Sequence, residues 1–114
     1  MGNKEADDTI VFISFPIVEN TDVGGTLAAI KKAITSNLCR TLTPPPNQVI
    51  YKYCIDRDLD LYELKSGLIK SIETASYIAL GEGWREDRNC ISDYKIAREA
   101  GVKCLEIKTT VTEV

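Results

Sequence analysis

The chain has 114 residues, 44% of them hydrophobic and 27% charged, with a net charge of −3. That length suits one globular domain and not two, and the interspersed, slightly acidic charge speaks against nucleic acid or an anionic membrane as the main partner. No apolar run approaches the ~20 residues of a membrane span, the polar start lacks the apolar core of a secretion signal, and a chain with no histidine has no Ser-His or Cys-His nucleophile.

Residues 1–8 read as a disordered tail. Residues 9–15 (TIVFISF) form a near-continuous run of β-branched and aromatic side chains, the pattern of a strand buried on both faces; Pro16 ends it. Asn20, Thr21 and Asp22 offer helix N-cap chemistry. Val23, Leu27, Ile30, Ile34 and Leu38 then recur at three- and four-residue steps, predicting an amphipathic helix. Gly24 and Gly25 weaken its first turn, either as a loosely capped start or because something approaches the backbone there. The prolines of 43–48 predict an extended connector, and residues 49–55 (VIYKYCI) a second strand. Asp60 and Glu63 resemble a capping box ahead of a second helix carrying Leu61, Leu64, Leu68, Ile69 and Ile72.

Residues 76–81 (SYIALG) predict a third strand. After a polar loop, Asn89 is expected to cap a third helix carrying Cys90, Ile91, Tyr94, Ala97 and Ala100, ended by Gly101 in the C′ position. Residues 102–107 (VKCLEI) predict a fourth strand and residues 108–114 a C-terminal tail, leaving one domain over 9–107. Strands alternating with helices imply a parallel sheet, right-handed crossovers and helices on both faces. The expected fold is therefore α/β: a Rossmann-like or flavodoxin-like three-layer sandwich with a parallel sheet of four or five strands. Ligands in such sheets bind beyond the carboxyl ends of the strands, where residues 14–22, 56–60 and 82–89 converge.

The four cysteines, Cys39, Cys54, Cys90 and Cys104, form no CxxC pair. They read as buried thiols in a reducing, cytoplasmic setting, and neither a metal nor a cofactor is expected. Acid-base chemistry would fall to carboxylates, Tyr, Lys or Cys. Whether Cys90 is reactive stays open, since a thiol at a helix N-terminus can have a lowered pKa. Trp84 either stacks a base or sugar in the crevice or folds back as a packing plug. Asp93 either points into the crevice, where the helix dipole favours a carboxylate, or is a solvated acid of the early helix. Arg85 and Arg88 suit bidentate phosphate contacts, or pair at the surface with Glu82, Glu86 or Asp87.

The opening VFISFP and the stretch ALGEGWREDRNCISDYKIAREAGVKCLEI together resemble the nucleoside 2-deoxyribosyltransferase-like superfamily, in particular its small phage and bacterial branch. Gly83, Trp84, Arg88, Cys90, Ala97 and Gly101 carry the resemblance, which spans roughly residues 9–107. It implies a parallel sheet, dimers or multiples of dimers, and chemistry at an N-glycosidic bond through a Glu nucleophile, whose place falls on Asp93. Other positions depart from the family: Asn89 stands for a Gly, Ser76 for an Asp, and an acid expected near Leu68 is missing, with Asp56, Asp58 and Asp60 out of register. A carboxylate drawn back by one methylene misses its place by ~1 Å, enough to cost about 100-fold.

The expectation that results is a binding protein with a degraded catalytic set. It would hold a nucleotide or nucleoside derivative, such as a nucleotide immune signal sequestered by a phage, without turning it over. Ser14, Phe15 and Asn20 of the first loop, the helix start with Gly24 and Gly25 as an anion site, and Trp84, Arg85, Asp87, Arg88 and Asn89 are the candidate contacts. The alternatives are a nucleoside or nucleotide N-glycosidase or 2-deoxyribosyltransferase acting through Asp93, and an oligomeric interaction module using Tyr51, Tyr53 and Tyr62.

Overall fold

The apolar run near the N-terminus becomes the centre of the sheet. The computed structural model describes residues 9–41, 49–53, 62–108 and 110–114, with side chains at 9–36, 49–53, 67–108 and 110–114. The expected tail at 1–8, the proline connector, the thiols of Cys39 and Cys54, Asp56, Asp58, the Asp60–Glu63 box and the Tyr62 ring lie outside them. The elements are β1 (Thr9–Ser14), α1 (Val23–Thr41), β2 (Val49–Tyr53), α2 (Tyr62–Glu73), β3 (Tyr77–Leu80), a 3₁₀ turn (Trp84–Glu86), α3 (Arg88–Ala100), β4 (Lys103–Ile107) and β5 (Val111–Glu113).

The strands lie in the order β2-β1-β3-β4-β5. The first four are parallel and β5 is antiparallel to β4. Among the described residues this is an α/β arrangement with a mostly parallel five-stranded sheet and three α-helices, in the strand order of flavodoxin-like sheets with the last strand reversed. The register sets Ser14, Leu80 and Glu106 in one row across the carboxyl ends of β1, β3 and β4.

Strand alternation divides the core in two. Val11, Ile13, Ala79, Leu105 and Ile107 face one way and pack with Leu27, Ile30 and Ile34 of α1. Phe12, Ile78, Leu80 and Cys104 face the other way and pack with Ile72 of α2 and Cys90 and Ala97 of α3. Each fully buried Leu, Ile or Phe among them contributes about 1.5–3 kcal/mol. Helices thus cover both faces, and a strand so covered has to be apolar throughout, as β1 is.

Two sequence expectations need correcting. The expected tail at 108–114 supplies β5. Its return is closed by the Lys108 N–H donating to the Thr110 carbonyl at 3.0 Å and the Val114 N–H to the Cys104 carbonyl at 2.9 Å. Pairing satisfies the outer edge of β4, which would otherwise present unpaired backbone groups, so the sheet is mixed and not wholly parallel. The cap of α3 is Asp87 and not Asn89: with extended backbone at φ −111°, Asp87 accepts from the Cys90 N–H at 3.0 Å. Gly101 does close α3 in the left-handed region, at φ 76°. Among the described residues, no helix is long and apolar enough to cross a membrane.

Candidate functional site

The carboxyl ends of β1 and β3 meet two different environments, one on each side of the sheet. On the α3 side the chain is closed. Ser14, the last residue of β1, donates its hydroxyl to Asp93 Oδ2 at 2.7 Å. Both are buried, Ser14 at 2% and Asp93 at 0% exposure. Asp93 therefore neither points into an open crevice nor sits in solvent: it ties the sheet to α3. Cys90 lies beside the pair. Burial pushes its thiol up to about 12, the Ser14 hydroxyl works against that rise, and the carboxylates of Asp87 and Asp93 add to it. The helix start does not activate this thiol, because desolvation of the thiolate outweighs the dipole. Burial also raises Cys104.

Trp84 completes the closure. At 4% exposure it is a packing plug and not an open stacking surface. Its ring sits 4.9 Å from that of Tyr94, and its Nε1–H donates to Glu106 Oε2 at 2.8 Å. Arg85 lies over the outer face of Trp84 at 4.7 Å and sets its Nε 3.2 Å from the same carboxylate. Lys108 reaches the other oxygen of Glu106 at 3.8 Å. The Trp84 hydrogen bond, with Lys108 and Arg85, holds Glu106 below the usual carboxylate range against the opposing effect of burial. Arg85 is thus surface-paired, with an acid of β4 that neighbouring residues in sequence do not suggest. Arg88 and Asn89 are exposed on the first turn of α3, where neither caps it.

On the α1 side the strand ends stay open. Gly81 follows β3 and donates its N–H to the Ser14 carbonyl at 2.8 Å. A Cβ there would meet the Phe15 Cβ at 2.6 Å, so only glycine lets this loop lie on Phe15. Phe15 is consequently core, 7% exposed, and Gly83 turns the chain into the 3₁₀ segment at φ 86°. The first loop makes a tight turn at 18–21: the Thr21 N–H donates to the Val18 carbonyl at 3.1 Å, the Val18 N–H to Thr21 Oγ1 at 2.9 Å, and Asn20 takes φ 69°. Asparagine is among the few residues other than glycine that accept that conformation readily. Asn20 is exposed and serves the turn.

The turn delivers Asp22 to the start of α1. Its Oδ1 accepts from the Gly25 N–H at 3.1 Å, and its carbonyl from the Thr26 N–H at 2.9 Å. A Cβ on Gly25 would collide with the Asp22 carboxylate, its Cγ lying 2.9 Å away. The expected anion site at residues 23–25 therefore already holds an anion, the chain's own. Gly24 has open space around it.

Beside this cap a groove of ≈ 670 Å³ runs over the ends of β3 and β4. Ala29, Ile30 and Ile107 give it an apolar wall, Gly25 and Thr26 a small-residue flank, and Asp22, Glu82 and Lys108 a charged rim. A smaller hollow of ≈ 270 Å³ adjoins it, sharing Glu82 and Lys108 and reaching Arg85 and Glu106. Of the residues that sequence reasoning proposed as ligand contacts, only Gly25 lines the larger groove. Trp84 and Arg85 line the smaller hollow, Ser14, Phe15 and Asp93 are core, Asp87 is a cap, and Asn20, Gly24, Arg88 and Asn89 stand elsewhere on the surface. One signal could have found the groove: Asp22, Gly25, Thr26 and Ala29 share one stripe of α1 at helical spacing, and small residues there leave nothing to fill the space above the strand ends.

The arrangement can bind. It offers an apolar wall, carboxylates able to accept from hydroxyl or amino groups, and one ammonium shared with Glu106. Comparison with protein-family models, with curated proteins and with solved structures gave no match.

Proposed function

We propose that this protein binds a nucleoside or nucleotide derivative in the groove between the start of α1 and the carboxyl ends of β3 and β4, and that it holds the molecule unchanged. The observation that carries this reading is the groove itself: an apolar wall of Ile30 and Ile107 facing the hydrogen-bonding groups of Asp22, Thr26, Glu82 and Lys108. An apolar surface with a few convergent polar groups is the usual make-up of a small-molecule site. It opens beyond the carboxyl ends of β3 and β4, the side of a doubly wound sheet on which ligands bind. A flat base fits the apolar wall, and ribose hydroxyls or a base amino group suit the carboxylates of the rim.

The resemblance of the GEGWREDRNC stretch to the deoxyribosyltransferase-like superfamily supports the same ligand class, while the position of its nucleophile argues against turnover. Asp93 is fully buried and accepts the Ser14 hydroxyl, so it has no path to an anomeric carbon in the groove. A protein of this kind would act by sequestration.

The test is a panel of common nucleosides and nucleotides added to the full chain, with thermal stability and released base measured on the same samples. A ligand at 100 times its Kd adds about 2.7 kcal/mol of stability, which raises Tm by roughly 10 °C in a domain of this size. Stabilisation by at least one compound with no free base is the expected result. Free base from any nucleoside would overturn the sequestration reading, and no stabilisation by any member of the panel would overturn the ligand class.

A further inference from the structure

The rim of the groove has a sign. Two of its residues are carboxylates, Asp22 and Glu82, and its ammonium, Lys108, lies 3.8 Å from Glu106 Oε1. The helix start, which in many α/β proteins receives a phosphate through its N–H groups and dipole, is here covered by Asp22. With glycine at 25 the carboxylate lies close over the backbone, and a Cβ there would require it to shift.

We infer that Asp22 is the specificity residue of the site: it stands in for a phosphate at the start of α1 and so restricts the groove to ligands with an unphosphorylated, hydroxyl-bearing end there, a nucleoside in preference to its 5′-phosphate. This rests on the reading of the groove as a nucleoside site. An incoming phosphate would have to displace the carboxylate from the Gly25 N–H or lie beside it as a like charge, whereas a sugar hydroxyl can donate to it. Ser, Asn and Asp cap about equally well; Asp adds a charge that the helix dipole favours and that an incoming phosphate would oppose.

Two variants separate charge from space. Asp22→Asn keeps a capping side chain and removes the charge, while Asp22→Gly removes both and costs the cap only a few tenths of a kcal/mol relative to Ser or Asn. Inorganic phosphate is titrated into the wild-type chain and both variants, followed by ³¹P line width and calorimetry. Nucleosides and their 5′-monophosphates are titrated in parallel. The wild-type chain is expected to show no saturable phosphate binding and a preference of about tenfold or more for nucleoside over 5′-monophosphate, the size of effect that one like charge a few ångströms away exerts near a surface. Asp22→Gly is expected to bind phosphate and to lose that preference, with Asp22→Asn between the two. Saturable phosphate binding by the wild-type chain, or no gain of it in Asp22→Gly, would overturn the inference. If no nucleoside or nucleotide binds any of the three, the proposed ligand class falls, and the phosphate titration still decides the role of Asp22.

Discussion

The two sides of the sheet treat the same strand ends in opposite ways. On the α3 side, Ser14, Asp93, Cys90 and Trp84 fill the space with a hydrogen-bonded, buried cluster. On the α1 side, Gly25, Thr26 and Ala29 keep side chains small, and a groove remains between Ile30, Ile107 and a charged rim. The residues that look most chemical in the sequence, a tryptophan and an acid early in a helix, build the closed side. The open side is built from an alanine, two isoleucines and the Asp22 cap of α1. Trp84 and Asp93 are buried and hydrogen-bonded to Glu106 and Ser14, so neither residue type by itself located the groove.

If this contrast is right, substitutions on the closed side act on stability and those on the open side act on binding. The largest effect is expected from Trp84→Ala, which empties a buried site and removes a donor from Glu106. Denaturant unfolding should show a loss of about 3–5 kcal/mol. Asp93→Ala follows at about 2–3 kcal/mol, for the lost acceptor of the buried Ser14 hydroxyl and the small cavity left behind. The affinity of the folded fraction for its ligand should not change. A normal stability with abolished turnover of a nucleoside would instead return Asp93 to a catalytic role.

Gly81→Ala sharpens the contrast at the boundary between the two sides. The added methyl collides with Phe15, and an overpacking cost of about 1–3 kcal/mol is expected from the same unfolding measurement. pH is a gentler probe. The folded Cys90 thiol ionises only near pH 12, whereas an unfolded one does so near pH ~8.5. Stability from this site is therefore fully present below the unfolded value and drains away as pH rises towards 12; by pH 10 the loss is about 2 kcal/mol. A Cys90→Ala chain should lack that alkaline slope relative to the parent, and native Cys90 should resist thiol reagents at pH 8. Smallest in stability is Ala29→Phe on the groove wall, within about 0.5 kcal/mol. Its signature is a ligand affinity reduced at least about tenfold in a titration, with Tm unchanged.

Much of the fold was legible because its signals are local and repeated. The run at 9–15 needs burial on both faces, the spacing of Leu27, Ile30 and Ile34 needs one covered face, and Gly101 needs a left-handed stop; all three are in place. The last strand was not legible. Its three residues carry no periodicity, and it forms only because β4 offers an edge to pair with. The choice of Asp87 over Asn89 as the cap of α3 was likewise open in sequence, since both residue types cap well; the 3₁₀ turn ahead of the helix brings Asp87 to the Cys90 N–H.

The site was least legible of all. A groove is defined by what neighbouring elements fail to fill, and Ala29 and Ile107 are 78 positions apart in the chain. The partner of Trp84 is equally remote: Glu106 comes from β4, two elements later. What the amino-acid order determined by itself is the alternation of strands and helices, the apolar stripe of α1 and the helix stops, because each depends on neighbours within a few positions. What only the tertiary structure decided is which polar residues are already partnered and where space is left over. Those depend on which strand ends lie side by side, and it is the register of Ser14, Leu80 and Glu106 that closes one side of the sheet and leaves the other open.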